Sequence, residues 1–162
     1  MRLKLCDGYA LLESLIAMLM LTAGVLALMW TLQKGLTVQR QNVNRENGMR
    51  LADNMAQRML TLNSPNHARN WGMTGVSATH NCMTQPCSET QWVSWLMQQA
   101  NEELKQLPQG DMAIAPLQTW PNGWVISVGW RDTAETFRTD NAWGGPACPA
   151  EKSCWRLVFR TH

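Results

Sequence analysis

Apolar residues crowd the first 32 positions of the 162-residue chain. The 19 residues from Ser14 to Leu32 carry no formal charge, and no proline interrupts them. About 20 apolar residues are needed to cross the hydrocarbon core of a bilayer as a helix, and Leu, Ala and Met are strong helix formers. The pattern predicts a transmembrane helix over about residues 9–32. A signal peptide cut after Ala27 is the alternative, but the apolar run continues through residues 28–30 without a polar region.

The helical pattern continues beyond this apolar run. No proline occurs from Thr31 to Asn63, and apolar residues recur at spacings of four, four and three at Leu51, Met55, Met59 and Leu62. That spacing is typical of one face of a helix. We therefore expect one helix over residues 9–63, about 80 Å long. Gly35 and Gly48 each cost about 1 kcal/mol relative to alanine, which favours bends there.

A second, shorter helix is predicted after a loop over residues 66–87. Ser88 and Gln91 have the spacing of a capping box, which marks a helix start. An apolar stripe then follows at helical spacing and stops before residues 108–110. Its members are Trp92, Leu96, Ala100, Leu104 and Leu107.

The apolar period changes to two in the last third of the chain. Residues 124–131 and 155–160 alternate between apolar and polar or small side chains, which predicts two strands with one buried face each. Residues 112–119 form a weaker strand candidate, and Pro116 places it at an edge. Residues 121–123, Pro-Asn-Gly, predict a hairpin turn. The fold class is therefore α+β: a long helix on a small antiparallel sheet, with one extra short helix.

Four cysteines lie outside the N-terminal segment, spaced as C-x4-C and C-x5-C. They are Cys82, Cys87, Cys148 and Cys154. An even number in an exported domain favours disulfides, whereas a zinc site that also uses His80 prefers shorter gaps. Four cysteines allow three connectivities, and short loops favour the local pairs 82–87 and 148–154. No metal site is expected.

Little else in the sequence predicts chemistry. The three histidines are scattered at 67, 80 and 162, and no HExxH, G-x-S-x-G or phosphate-loop motif occurs. We therefore expect neither an enzyme nor a cofactor. Fourteen basic residues nearly balance twelve acidic ones. Arg40, Arg45 and Arg50 are about 140° apart around a helix and form no stripe, so no nucleic-acid partner is expected.

Nine tryptophans are unusual beside two Phe and one Tyr. Trp92, Trp124, Trp130 and Trp155 lie on predicted buried faces, and Trp30 suits a membrane interface. The remaining tryptophans are Trp71, Trp95, Trp120 and Trp143. They leave open a sugar-binding role, in which the protein is a membrane-anchored adhesin.

The N-terminal segment contains a specific combination of residues. A short basic leader ends in Gly8, an aromatic residue follows at Tyr9, Glu13 is fifth after the glycine, and an apolar helix continues. A carboxylate inside an apolar run usually has a function. The segment Gly8-Tyr9-Ala10-Leu11-Leu12-Glu13 resembles the processing site of type IV prepilins.

This resemblance implies that a prepilin peptidase cuts between Gly8 and Tyr9 and N-methylates the new Tyr9 amine. It implies a leader over residues 1–8, a long helix over 9–63, and a globular pilin domain over 64–162. Glu13 would act in assembly. The implied partners are the major pilin, other minor pilins, the prepilin peptidase, the assembly platform and inner-membrane lipid.

The second half of the chain extends the resemblance. Leu107-Pro108-Gln109-Gly110, the strand segment Val128-Gly129-Trp130-Arg131-Asp132 and the final strand segment 156–160 are similar to the PilV-type minor pilins. The implied function is a minor pilin that is incorporated into type IV pili or primes their assembly. A type II secretion pseudopilin shares the N-terminal pattern and is the closest alternative.

Membrane orientation has conflicting signals. Lys34, Arg40 and Arg45 follow the apolar run, and the positive-inside rule would place them in the cytoplasm. The cysteines favour an oxidising compartment for the C-terminal side, and the prepilin resemblance agrees. We expect a single-pass inner-membrane protein with a periplasmic C-terminal part, which then enters the pilus at the cell surface.

Overall fold

The computed structural model describes residues 7–62, 68–72, 78–132 and 144–161. Two helices precede three strands in the described chain: α1 (Asp7–Leu62), α2 (Glu89–Leu104), β1 (Asp111–Pro116), β2 (Gly123–Trp130) and β3 (Ser153–Arg160). The strands form one antiparallel sheet in the order β1-β2-β3. The predicted α+β class is confirmed at this level. Residues 63–67, where the long helix was expected to end and the loop to begin, lie outside the described residues.

Helix α1 is a single element of 56 residues that continues through Gly35 and Gly48. It starts two residues before the predicted Tyr9. Internal contacts divide the chain within this helix, into a unit up to Gln41 and a unit from Asn42 onward. The second unit, which we call the head, therefore includes the last part of α1 as well as α2 and the sheet.

The core of the head forms where α1, α2 and one face of the sheet meet. Helix α1 contributes Leu51, Met55 and Met59 of the predicted stripe, together with Ala52 and Ala56, which the spacing did not predict. The burial of Leu62, the fourth predicted member, lies outside what the structure describes. From α2 come Val93, Met97, Ala100 and Leu104, and from β1 and β2 come Met112, Ile114, Ile126, Val128 and Trp130. Burial of such side chains stabilises the head by about 1.5–3 kcal/mol for each large one.

The predicted capping box is present at the start of α2. The Gln91 amide donates to Ser88 Oγ, and the Ser88 amide donates to Gln91 Oε1 at 2.8 Å. The buried stripe of α2 differs from the predicted one, because it includes Val93 and Met97 while Trp92 is only partly buried. Trp92 instead packs edge-on against Trp95, with ring centroids 5.4 Å apart.

Gly48 allows α1 to approach the sheet. A Cβ atom at this position would lie 2.7 Å from the Trp130 ring, which is closer than atoms can pack. The Trp130 side chain is fully buried against the helix at this point. The glycine that weakens the helix by its own propensity therefore serves the packing of the largest core side chain.

Strand β2 is buried on both faces, so the predicted single buried face is wrong for this strand. Its inner-face residues pack on the helices, but Val125, Ser127 and Gly129 on the opposite face are buried as well. Trp71 contacts the Gly129 position, and residue Gly145 contacts Val125. The second face is covered by segments distant in sequence, which alternation within one strand cannot reveal.

Candidate functional site: the apolar half of the long helix

The side chains of the apolar half of α1, residues 11–32, are exposed. The most apolar 18-residue window of α1 has a mean hydropathy of 2.2, and none of that window is buried. Among the described residues, α1 is long and apolar enough to cross a membrane, judged by length and composition. Side chains on every side of the helix are exposed, including Leu11 at 74% and Leu26 at 66%.

The serine and threonine hydroxyl groups of the apolar half donate hydrogen bonds within the helix. Ser14 Oγ donates to the Leu11 carbonyl oxygen at 2.9 Å. Thr22 and Thr31 donate in the same way to the carbonyl oxygens three residues earlier. A hydroxyl with no partner is costly in hydrocarbon, so these bonds make the surface suitable for lipid or for another apolar helix.

Trp30 and Lys34 mark the end of the apolar half. The Lys34 Nζ atom lies 3.9 Å from the centroid of the Trp30 ring. Tryptophan and lysine are favoured at the membrane–water interface, where an apolar ring meets a charge that stays hydrated. From Leu11 to Leu32 the helix rises about 30 Å, close to the thickness of the hydrocarbon core.

The residues of the predicted processing site lie at the start of α1. The Gly8–Tyr9 peptide belongs to the first turn, where helix amides have no partner within the helix. Tyr9 is 82% exposed and Glu13 is exposed. Residues four apart in a helix share a face, and these two are separated by about 6 Å along the axis. Within the described part of the chain, the Glu13 carboxylate makes neither a hydrogen bond nor an ion pair.

The cysteines of the head form the two local pairs. One disulfide joins Cys82 to Cys87 in the loop before α2, and the other joins Cys148 to Cys154 at the start of β3. The first loop is further held by the Met83 amide, which donates to Asn81 Oδ1 at 3.0 Å. Both disulfides therefore constrain connections between elements rather than the helical core.

The tryptophans considered for sugar binding do not converge in the described residues. Trp71 packs on the sheet at Gly129, and Trp95 packs on Trp92. Trp120 is 41% exposed in the loop between β1 and β2, and Trp143 lies outside the described residues. A cavity of about 140 Å³ lies beside α2, lined by Ala78, Thr79, His80, Thr90, Gln91 and Ser94. Its volume is below the usual range of ligand sites, about 300–1,000 Å³.

Two of the arginines considered for nucleic acid are engaged within the head. The Arg45 guanidinium lies 5.9 Å from the centroid of the Trp155 ring. Arg50 Nη2 lies 2.6 Å from Glu46 Oε1, one helical turn away. Arg45 thus contacts the sheet, whereas the contact of Arg50 lies within α1.

The sequence did not predict a buried cluster of charged groups that lies at one end of the sheet. Asp111 Oδ2 accepts from the Gly72 amide at 2.9 Å and from Lys152 Nζ at 3.2 Å. Arg69 is also buried here, and burial lowers the pKa of its guanidinium, while the charge of Asp111 acts in the opposite direction. Gly72 and Lys152 are separated from Asp111 by 39 and 41 positions in the chain. No local pattern in the sequence indicates that they become its partners.

No protein-family model matches the chain, and neither the curated proteins nor the solved structures provide a significant match. The function therefore has to be inferred from the residues and their contacts.

Proposed function

We propose that the protein is a minor type IV pilin of the PilV type, a membrane-anchored subunit that enters a fibre by bundling its N-terminal helix. The observation that carries the proposal is Glu13: an exposed carboxylate, five residues after Gly8, at the start of an apolar run that has no other charge up to Leu32. A plain membrane anchor does not need this charge, because a carboxylate in the membrane costs about 3 kcal/mol or more.

The mechanism of assembly follows from the two charges at the helix start. Cleavage after Gly8 leaves an amine on Tyr9, which the prepilin peptidase methylates. In a bundle of apolar helices both this amine and the Glu13 carboxylate would be removed from water. Pairing Glu13 of one subunit with the Tyr9 amine of its neighbour neutralises both charges and sets the axial register between the helices.

The uniform apolar surface of α1 supports the same mechanism. A helix that is exposed on all sides up to Trp30 can lie in lipid before assembly and among other helices afterwards. None of the most apolar window of α1 is buried within the chain, so its transfer from lipid into a fibre would not require this surface to be uncovered first. The partners would be the major pilin, other minor pilins, the prepilin peptidase and the assembly platform.

The proposed location is the inner membrane, with the head in the periplasm and later on the cell surface. Two disulfides in the head support an oxidising compartment for the C-terminal side. The apolar helix supports a single membrane crossing.

N-terminal sequencing of the mature protein tests the proposal. We expect the mature chain to start at Tyr9, and we expect Gly8→Val to leave the precursor intact, because the processing site needs a residue without a side chain. Gly24→Val is a matched control, since a Cβ at Gly24 meets nothing within 4 Å. A mature chain that starts at Leu28 would instead establish removal of a signal peptide and exclude a pilin.

Two alternatives give different outcomes in cells. A type II secretion pseudopilin would also be processed at Gly8, but site-specific crosslinks from its helix would capture secretion-system subunits rather than pilins. A membrane-anchored adhesin would bind glycans through tryptophans such as Trp120 or Trp143, and a glycan array with Trp120→Ala and Trp143→Ala variants would detect this. Crosslinks to pilins together with absence from secretion complexes favour the minor pilin.

A further inference from the structure

The sheet of the head has a second covered face, opposite the helices. Cross-strand pairs on this outer face form three rows: Ala115, Val125 and Val158; Ala113, Ser127 and Arg156; Asp111, Gly129 and Cys154. The central residues Val125 and Ser127 are fully buried, although neither belongs to the core formed with α1 and α2. Something other than the helices must therefore exclude water from this face.

Trp71 packs at the Gly129 end of this face, and the segment 144–152, which we call the strap, covers the row of Val125 and crosses the row of Arg156. Gly145 lies on Val125: a Cβ at this glycine would be 2.6 Å from Val125 Cγ1, and its φ of 106° is one that other residues rarely adopt. In the next row, Arg156 Nη2 donates to the Pro146 carbonyl oxygen at 3.0 Å. The strap thus crosses the outer face without joining the sheet as a strand.

The strap is fastened at its far end by a covalent bond and by charge pairs. Cys148 is joined to Cys154 in the third row. Lys152 Nζ reaches Asp111 Oδ2 at 3.2 Å, and Glu151 Oε2 lies 2.6 Å from Arg131 Nη2. The ion pair of Glu151 is exposed on both sides, so it contributes little to holding the strap. The covalent bond is the strongest of these fastenings.

We propose that the Cys148–Cys154 disulfide is a redox latch, which decides whether the strap covers the outer face of the sheet while the helical core stays folded. The residues of the three rows are mostly small or polar, and two valines, Val125 and Val158, are the largest apolar side chains among them. Such a face gains little from burial, so the strap depends on its latch. The core on the inner face, with Trp130 and the helical stripe, includes no residue of the strap.

Closing the latch is a two-electron oxidation. The Sγ atoms of Cys148 and Cys154 form a bond and lose two protons and two electrons to the disulfide of a thiol–disulfide oxidoreductase, which becomes a dithiol. Opening starts with attack of a thiolate on Cys148 Sγ, because Cys148 is partly exposed whereas Cys154 is 1% exposed. The thiolate of Cys154 then leaves, and the strap is held by its polar contacts alone.

Neighbouring positions on opposite faces of β2 provide the test. Ser127→Cys reports on the outer face and Val128→Cys on the inner face, and both positions are fully buried. Each is placed in the full-length protein, with the latch intact or removed by Cys148→Ser/Cys154→Ser, and labelling by maleimide is measured by peptide mapping. We expect removal of the latch to accelerate labelling of residue 127 at least about tenfold and to leave residue 128 protected, as local opening requires.

Removing the other disulfide, by Cys82→Ser/Cys87→Ser, should leave residue 127 protected. Equal acceleration at 127 and 128 would show that the disulfide holds the whole head, and continued protection of 127 would show that the strap needs no latch. Either result overturns the proposal. If the double variant fails to fold, the folded wild-type protein is reduced with dithiothreitol. The latch then predicts alkylation of Cys148 and Cys154 with unchanged near-ultraviolet circular dichroism, and loss of that signal would contradict it.

Discussion

Helix α1 contains two halves that use apolar residues in opposite ways. In the N-terminal half, Met20 is 71% exposed and its neighbours on all sides are exposed too. In the C-terminal half, Met55 is 1% exposed and apolar residues occupy one face. Apolar side chains are therefore exposed in the N-terminal half, whereas in the C-terminal half they are buried in the core of the head.

The glycines of α1 repeat this contrast. A Cβ at Gly24 or Gly35 meets nothing within 4 Å, whereas at Gly48 it would meet the Trp130 ring. The two groups of glycines differ in what packs against them. A residue's contribution to α1 therefore has to be judged by what surrounds it, and matched substitutions in the two halves can test this.

The largest effect is expected from Glu13→Ala in the exposed half. Removing one partner of a buried charge pair typically costs about 3–5 kcal/mol, because the Tyr9 amine would remain unpaired in the bundle. The protein should still be expressed, processed and disulfide-bonded, but its amount in sheared pili should fall sharply. Normal amounts in the mutant pili, with unchanged piliation, would exclude the pairing role.

Substitution of matched methionines should separate the two halves next. Met55→Ala is expected to destabilise the head by about 2–5 kcal/mol, since it leaves a cavity between α1, α2 and the sheet. Met20→Ala removes the same atoms from an exposed site and should leave the unfolding midpoint of the head unchanged. Chemical denaturation in detergent, followed by near-ultraviolet circular dichroism, measures both. Equal effects would contradict the division of the helix.

The glycines should respond with opposite signs. Gly48→Ala is expected to destabilise the head by about 1–3 kcal/mol, because its methyl group overlaps the Trp130 ring. Gly35→Ala has open space and should stabilise the helix by up to about 1 kcal/mol. Thermal unfolding of the two variants compares them directly. A stabilising Gly48→Ala would show that Trp130 can move aside without cost.

The smallest effect concerns ion pairs. Arg58 Nη2 lies 3.0 Å from Glu103 Oε1 and links α1 to α2, and both side chains are about two-thirds buried. Arg58→Ala should cost about 1 kcal/mol of head stability. Arg50→Ala, which removes the exposed pair with Glu46, should change it by less than about 0.5 kcal/mol. Identical denaturation curves for both variants would show that partial burial adds nothing to the first pair.

Local features of the fold are predictable from the sequence. The capping box at Ser88 and Gln91 depends on two residues three apart, and the apolar stripe from Leu51 to Met59 depends on helical spacing alone. The sequence therefore predicts both features, and the structure contains both. The cysteine pairs 82–87 and 148–154 are also close in sequence, and the structure contains the same pairs.

Within the proposed site, the sequence already contains everything that is chemically distinctive. Gly8, Tyr9 and Glu13 lie within six residues, and their helical spacing places Tyr9 and Glu13 on one face. A hydropathy pattern cannot distinguish a membrane helix from a helix buried in a protein core. The structure adds that none of the most apolar window of α1 is buried within the chain.

Only the tertiary structure decided which distant segments meet. The burial of Ser127, the place of Gly48 against Trp130, and the cluster around Asp111 all join residues that lie far apart in the chain. Periodicity within a strand or helix identifies the face that one element buries, but it carries no information on what a later loop will cover. Helix, turn and local disulfide are consequences of neighbouring residues, whereas the second face of the sheet is buried because the strap returns across it.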